Sequence, residues 1–372
     1  MIYFDAGATT LEKPESVKRA MMSALNTMSS PGRGSHPASR LAEETAFQCR
    51  SEAAELFGVD SPEKVIFTSN ATHGLNIAIK SLVKPGNRVV ISGYEHNAVT
   101  RPLHAIEGVE IVVIDTPLFQ PREMLAQFSN ALQQGADAVI CTHVSNVFGY
   151  ILPLQEIADL CKERGVPLIV DASQSAGILP VKLNELGAAF IAMPGHKGLY
   201  GPQGTGLLLC ARDAMPVIEG GTGSQSRRQE MPEELPDRLE AGTHNMPGIA
   251  GLLEGIRFVS GLGTERISRH EKKLLSAAIR QLRAVDEVEL YCAASLEHQS
   301  PVLSFNIRGM DCQTAAEQLS KRGIAVRAGL HCSPLAHKTV GTEQGTVRLS
   351  FSAFNTEQEV MRFAKEIKSI IH

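Results

Sequence analysis

A lysine set among glycines, an aspartate closing an apolar run, and a cysteine beside a histidine are the residues of this chain best suited to covalent chemistry. Lys197 lies in PGHKGLYGPQGTG (194–206), directly after the apolar run AFIAM. Glycines there let the backbone approach a ligand closely. A lysine that forms an imine must be neutral part of the time, and partial desolvation achieves that. Taken alone, the segment reads equally as a surface lysine in a glycine-rich turn.

Asp171 ends PLIVD and is followed by ASQSAG, in which Gln174 stands among small residues that leave room for a flat ring. Asp115 ends EIVVID in the same way, and a helix-capping role fits either aspartate. The combination favours Asp171, which comes one apolar run before Lys197. A lysine for an imine and an aspartate for a pyridinium nitrogen are what pyridoxal phosphate demands of a protein.

SNATHGLN (69–76) follows another apolar run and opens a helical pattern. Its small residues, its backbone N–H groups and the Thr72 hydroxyl suit an anion, and the helix dipole favours a phosphate. An ordinary helix N-cap explains the same residues. The segment is neither a Walker loop nor a dinucleotide fingerprint.

VRAGLHCSPLAH (326–337) puts Cys332 beside His331 in a loop. An exposed cysteine near a cation is a good nucleophile, and His331 or Arg327 is expected to provide the charge. Asn146 in HVSNVFG (143–149) and Arg348 in TVRLSFSAFNT (346–356) are candidate ligand donors, Arg348 for a carboxylate. A turn asparagine and a solvent-facing strand arginine are the plain alternatives.

These residues need a frame. VIFTS (65–69), RVVIS (88–92), EIVVID (110–115), DAVICTHV (137–144), PLIVD (167–171), AFIAM (189–193) and TGLLLC (205–210) are almost continuously apolar. Such runs suit strands covered on both faces. Helical patterns separate them, as where Leu154, Ile157, Ala158 and Cys161 precede a helix-stopping Gly165. The alternation predicts an α/β, mostly parallel, doubly wound sheet with ligands beyond the strands' carboxyl ends.

Residues 219–250 read as a long polar, Gly- and Pro-rich loop. Beyond it, helices and strands near 301–307, 324–327 and 346–351 predict a smaller α+β domain. A closing helix presents Val360, Phe363, Ala364, Ile367 and Ile371 on one face. The expected division is a large domain over 15–255 and a small one from 1–14 and 256–372.

Composition narrows the function. With 372 residues, 43% hydrophobic residues and a net charge of −4, a soluble two-domain protein without a nucleic-acid surface is expected. No run has the length of a membrane span, and MIYFDAGATT is not a signal peptide, so the expected location is the cytoplasm. Seven cysteines without a C-x-x-C pair argue against disulfides and zinc, so no metal site is expected. Most should be small buried hydrophobes.

In series, YFDAGATT (3–10), TSNATHGLN, EHNA (95–98), HVSNVFG, DASQSAG, GHKGLYGPQGTG, EAGTHN (240–245), RAGLHC and RLSFSAFNT resemble the class V aminotransferases. Within that family they are most similar to the cysteine desulfurases and selenocysteine lyases, and the resemblance spans nearly the whole chain. It implies the pyridoxal-phosphate-dependent transferase fold of type I, with a mostly parallel seven-stranded sheet and a smaller α+β domain. Lys197 would carry pyridoxal 5'-phosphate and move the substrate's Cα proton. Asp171 would pair with the pyridinium nitrogen, Gln174 with the ring hydroxyl, and His96 would stack on the ring and act as an acid or base. Thr72 and His196 would hold the phosphate, with Thr243 reaching it from the second subunit of a homodimer. Asn146 and Arg348 would grip the carboxylate of L-cysteine, and Arg327 would order the cysteine loop or bind substrate. Cys332 would take the sulfur as a persulfide, leaving alanine.

The R-x-G-x-H-C form resembles the Suf-type branch, group II; the resemblance implies sulfur mobilisation, as in iron–sulfur cluster assembly, with an iron–sulfur scaffold, a sulfur-carrier protein or a small thiol as the sulfur acceptor. Three positions depart from the family pattern: Pro194 in place of a phosphate-binding Ser, His73 in place of Glu, and His244 in place of Pro. A selenocysteine lyase, another class V aminotransferase or lyase with an incidental Cys332, and a non-catalytic sulfur relay are the alternatives.

Overall fold

The computed structural model describes residues 1–32 and 34–371. The chain opens with a two-residue strand, Ile2–Tyr3 (β1). Seven strands then form the main sheet: Val65–Thr68 (β2), Arg88–Ser92 (β3), Glu110–Ile114 (β4), Ala138–Thr142 (β5), Leu168–Asp171 (β6), Phe190–Pro194 (β7) and Gly206–Cys210 (β8). Each falls on one of the seven apolar runs. Their order is β2-β8-β7-β6-β5-β3-β4. The four neighbouring pairs from β7 to β4 are parallel, and β8 runs antiparallel to both β7 and β2.

Why these strands lack polar alternation is visible in their packing. Side chains of consecutive residues point to opposite faces of a sheet. Val139, Val170 and Ile191 join one buried core, while Ile140, Ile169 and Phe190 join another. Helices cover both faces, so both alternating sets must be apolar. The helix Leu154–Arg164 ends where expected, with Gly165 in the left-handed conformation at φ 66°.

The second layer of the molecule is a four-stranded antiparallel sheet. It contains Val288–Tyr291 (β9), Val302–Ile307 (β10), Arg327–Gly329 (β12) and Thr346–Ser350 (β13), in the order β12-β13-β10-β9. Ile324–Ala325 (β11) pairs instead with β1, in parallel. The stretch expected as one strand at 324–327 is thus divided between two sheets. A separate core fills this region, with Phe4 set edge-on against Phe351 and Phe363 at centroid distances of 5.2 and 5.9 Å. The last helix, Glu357–Ile371, buries Val360, Phe363, Ala364 and Ile367, as its spacing predicts.

The 219–250 region is irregular apart from the short turn Asp237–Leu239 and the start of the helix Met246–Leu262. That helix runs unbroken across residue 255. No described helix is long and apolar enough to cross a membrane.

Candidate active site

At the carboxyl ends of β5, β6 and β7 lies a cavity of about 110 Å³. Its wall includes Thr72, His96, Asn146, Asp171, Gln174, His196 and Lys197. These seven come from segments spread over 126 positions of sequence, and the sheet brings them together. Asp115 follows the edge strand β4 and is exposed outside this wall, so topology decides between the two aspartates.

Lys197 sits in the loop between β7 and β8. Burial pulls its amine down to about 8, against an opposing pull from Asp171. An amine so placed is neutral in part near physiological pH. The loop is braced by the N-terminal segment: the Thr10 backbone N–H and hydroxyl both donate to the His196 carbonyl, each at 3.0 Å. Asp171 is buried and accepts the Ser173 N–H through Oδ1 at 2.9 Å, which leaves Oδ2 for a ligand. Gln174 donates to the Gly7 carbonyl at 2.9 Å and keeps its own oxygen free.

At the anion end a helix starts where the sequence suggests. Asn70 caps the helix Ala71–Leu82, and its side chain accepts the His73 N–H at 2.9 Å. Thr72 is exposed in the first turn with its hydroxyl available. His196 Nδ1 is buried without a partner, and burial holds this ring neutral, with its pKa pushed down to about 4. Pro194 also lines the wall and offers no donor.

His96 caps the helix Asn97–His104, its Nδ1 accepting the Ala98 N–H at 2.9 Å. That bond fixes the proton on Nε2. Burial also lowers its pKa, so the ring is neutral and presents a donor to the cavity. To act as a base it would have to give up the cap.

Cys332 is the exposed cysteine. Cys49, Cys141, Cys161, Cys210 and Cys312 are buried, Cys292 is half-buried, and all seven are free. His331 and Cys332 have φ values of 50° and 59°, both in the left-handed region. The loop is tied to the cavity wall. Asn146 Nδ2 donates to the His331 carbonyl at 2.8 Å, the Ser333 hydroxyl donates to Asn146 Oδ1 at 2.6 Å, and the Asn97 N–H donates to the Cys332 carbonyl at 2.9 Å.

One expectation fails here, and so does the plain alternative for Arg348. His331 is not a cation beside the thiol. It is 5% exposed, its Nε2 lies 3.1 Å from the Thr346 carbonyl, and burial drives its pKa down to about 2. Nor is Arg348 a solvent-facing arginine or part of the cavity wall. It is 2% exposed, donates to Asp5 at 2.8 Å and to the Asn146 carbonyl at 2.9 Å, and keeps a buried Nε without a partner. Arg327 stands opposite it in the β12–β13 register and is half-buried, leaving it the more accessible cation.

Thr243 is not brought to this cavity. It is exposed and lines a separate pocket of about 260 Å³ with Phe67, Glu240 and His244. Residues that sequence reasoning passed over include Ser333, Lys13 and Glu95. Lys13 donates to the His196 carbonyl at 3.1 Å, and burial lowers its pKa to about 8. Glu95 is fully buried, accepts from Ser92 and from the Thr142 N–H, and is pushed up to about 8 by burial. Its position next to His96 in EHNA was the available signal for Glu95, while Ser333 and Lys13 had none beyond their neighbours.

A flat, phosphate-bearing pyridine fits this wall. The partly neutral amine would suit its aldehyde, the free carboxylate oxygen its ring nitrogen, and the orphaned imidazole nitrogen and the helix N-terminus its phosphate.

Comparison with known proteins gives the family. Residues 2–363 match the family described as aminotransferase class-V. A probable cysteine desulfurase of Pyrococcus abyssi is 32% identical, the alignment covering all of this chain and 94% of that protein. A probable cysteine desulfurase of Mycolicibacterium paratuberculosis is 30% identical, but this chain spans only 55% of its length. Among solved structures, a cysteine desulfurase of Thermococcus onnurineus superposes with a TM-score of 0.91 at 32% identity, covering all of this chain and 94% of that one.

Proposed function

We propose that this chain, which belongs to the aminotransferase class-V family, is a pyridoxal-phosphate-dependent cysteine desulfurase. The observation that carries the reading is one amide. Asn146 lines the cavity of Lys197 and Asp171 and is also hydrogen-bonded to both neighbours of Cys332. A nucleophilic sulfur is thereby tied to the wall of an imine-forming site.

Pyridoxal phosphate, when bound, supplies an electron sink that acidifies the Cα–H of an amino acid. Lys197 would hold it and, as a free amine, carry the Cα proton. Asp171 Oδ2 would sit at the ring nitrogen and Gln174 at the ring hydroxyl. His96 would lie on the ring as a neutral donor. Thr72 and His196 would hold the phosphate, and Thr243 of a second copy would complete it. Its exposure supports that assignment and the homodimer it requires.

The substrate carboxylate would take the second Nδ2 hydrogen of Asn146, with Arg327 as the more accessible cation. For Arg348 to join, it must exchange its Asp5 contact for the substrate. Cys332 Sγ then attacks the substrate sulfur. The Cβ–S bond of L-cysteine breaks, an S–S bond forms on Cys332, and the carbon fragment, once protonated, leaves as alanine. Delivery of that sulfur to an acceptor protein, as in iron–sulfur cluster assembly, and a cytoplasmic location complete the proposal. The seven free cysteines suit such a compartment.

The test is incubation with L-cysteine and a reductant, scoring alanine and sulfide. Equimolar products from the parent protein, and none from Lys197→Ala or Cys332→Ala, are expected. Alanine formation undiminished in Cys332→Ala would remove the cysteine from the reaction.

A further inference from the structure

Ser333 has no role in the reaction as set out above, yet its position is unusual. It is fully buried immediately after the exposed Cys332. Its N–H closes the turn on the Leu330 carbonyl at 2.8 Å, and its carbonyl accepts the His337 N–H. Its hydroxyl meets Asn146 Oδ1 at 2.6 Å.

The orientation of that amide is not arbitrary. The His331 carbonyl can only accept, so the Asn146 atom 2.8 Å from it must be the nitrogen. Oδ1 therefore faces Ser333, and the hydroxyl is the donor. Without that hydroxyl the oxygen would be a buried acceptor with no partner, and the amide would lose what holds it in this sense.

The loop has reason to need holding. His331 and Cys332 are successive non-glycine residues at positive φ, a conformation that persists only where the surroundings impose it. The Asn146 bond to His331, the Asn97 bond to Cys332 and the Ser333 bond to Asn146 surround those two residues.

We propose that Ser333 is a positioning residue for Cys332: its hydroxyl fixes the Asn146 amide so that one nitrogen serves both the cysteine loop and the cavity. Asn146 Nδ2 has two hydrogens. One is spent on the His331 carbonyl, and the other is left for a carboxylate in the cavity. Occupancy of the cavity and placement of the Cys332 sulfur thus pass through a single amide whose orientation Ser333 sets. The functional half of this inference rests on the desulfurase reading, while the clamp itself does not.

The test measures alkylation of Cys332 by iodoacetamide in the cofactor-loaded protein, by mass spectrometry, with half-buried Cys292 as the internal reference. Ser333→Ala removes one oxygen. It should raise the Cys332 rate by about fivefold, the size of one lost hydrogen bond, and leave Cys292 unchanged. On an Asn146→Ala background the same substitution should add nothing, because its route is gone. In turnover, kcat should fall more than KM changes. A Cys332 rate within twofold of the parent in a folded Ser333→Ala protein overturns the clamp, as does an equal rise at both cysteines. Should Ser333→Ala not fold, Asn146→Asp puts an oxygen against the His331 carbonyl and must also raise the Cys332 rate. Because alkylation needs no turnover, a protein that makes no alanine yet shows the selective rise keeps the clamp and loses the desulfurase reading. Alanine formation without the rise does the reverse.

Discussion

Gly198, next to the lysine, offers a sharp test of how the site is held. Here the Lys197 loop packs backbone to backbone on the segment after Asp171. A methyl group built at Gly198 would lie 2.3 Å from the Ala176 carbonyl oxygen, about 0.7 Å inside the 3.0 Å that such contacts essentially never breach. The reciprocal clash, from Gly177 onto the Gly198 carbonyl, is 2.2 Å. Neither partner is a flexible side-chain end, so Gly198→Ala must push the two backbones apart. Overpacking of this kind costs about 1–3 kcal/mol of stability. The larger effect should be on chemistry, because the backbones that separate are those that aim Lys197 and Asp171. A misplacement of about 1 Å costs on the order of 100-fold in rate. The assay is kcat/KM for alanine formation from L-cysteine, with the thermal midpoint measured alongside. A drop of about 100-fold with a folded protein is expected. Activity within twofold of the parent would refute the view that this contact sets the distance between amine and carboxylate.

Three further outcomes follow from buried groups. The depressed Lys197 amine is protonated below about pH 8 and free above it, so capture of pyridoxal phosphate by cofactor-stripped protein should slow about tenfold per pH unit below 8 and level off above it, followed by absorbance. His331 is held neutral to about pH 2, against 6.5 for an ordinary histidine, so the unfolded state binds its proton first and stability must fall as pH drops below 6.5. Denaturant melts at pH 7 and 5 should show His331→Gln losing roughly 2 kcal/mol less than the parent over that interval. Glu240 is buried against Arg50 at 2.8 and 2.6 Å and accepts the Phe67 N–H at 2.6 Å. Glu240→Gln leaves the arginine charge uncompensated, and the same melts at neutral pH should show a loss of about 3–5 kcal/mol.

Much of this was legible in the sequence, for a stateable reason. Six of the seven main strands are buried almost throughout on both faces, and that burial writes itself as apolar runs, while the edge strand β4 is apolar yet half-exposed. Direction does not. TGLLLC looks like its neighbours, yet β8 runs against them, because a run of apolar residues carries no sense of polarity. Val288–Tyr291 escaped notice because it is half-exposed and keeps Glu289 at its surface. At the site, residue types at strand ends found the cavity wall, since position after a strand is a local property. The charge state of His331 was not local. It depends on burial among Thr346, His337 and Arg348, which only the folded chain assembles. The Arg348–Asp5 pair joins residues 343 positions apart and had no signature in either segment.

The reversed strand has a consequence for how this chain can change over time. Pro194 and Gly206 pair across β7 and β8, and the Gly195 N–H meets the Thr205 carbonyl at 2.8 Å, so the segment carrying Lys197 is closed at both ends like a clasp. The other loops at the cavity lead onward into helices or irregular chain and can absorb an added or missing residue. Here one residue more or less would slip β8 against β7, swapping Leu208 and Leu209 between opposite cores and disturbing β2 beyond it. Residues 195–205 should therefore accept replacements at some positions but resist any change in length, and the spacing from lysine to returning strand should be the most rigid interval in the sequence.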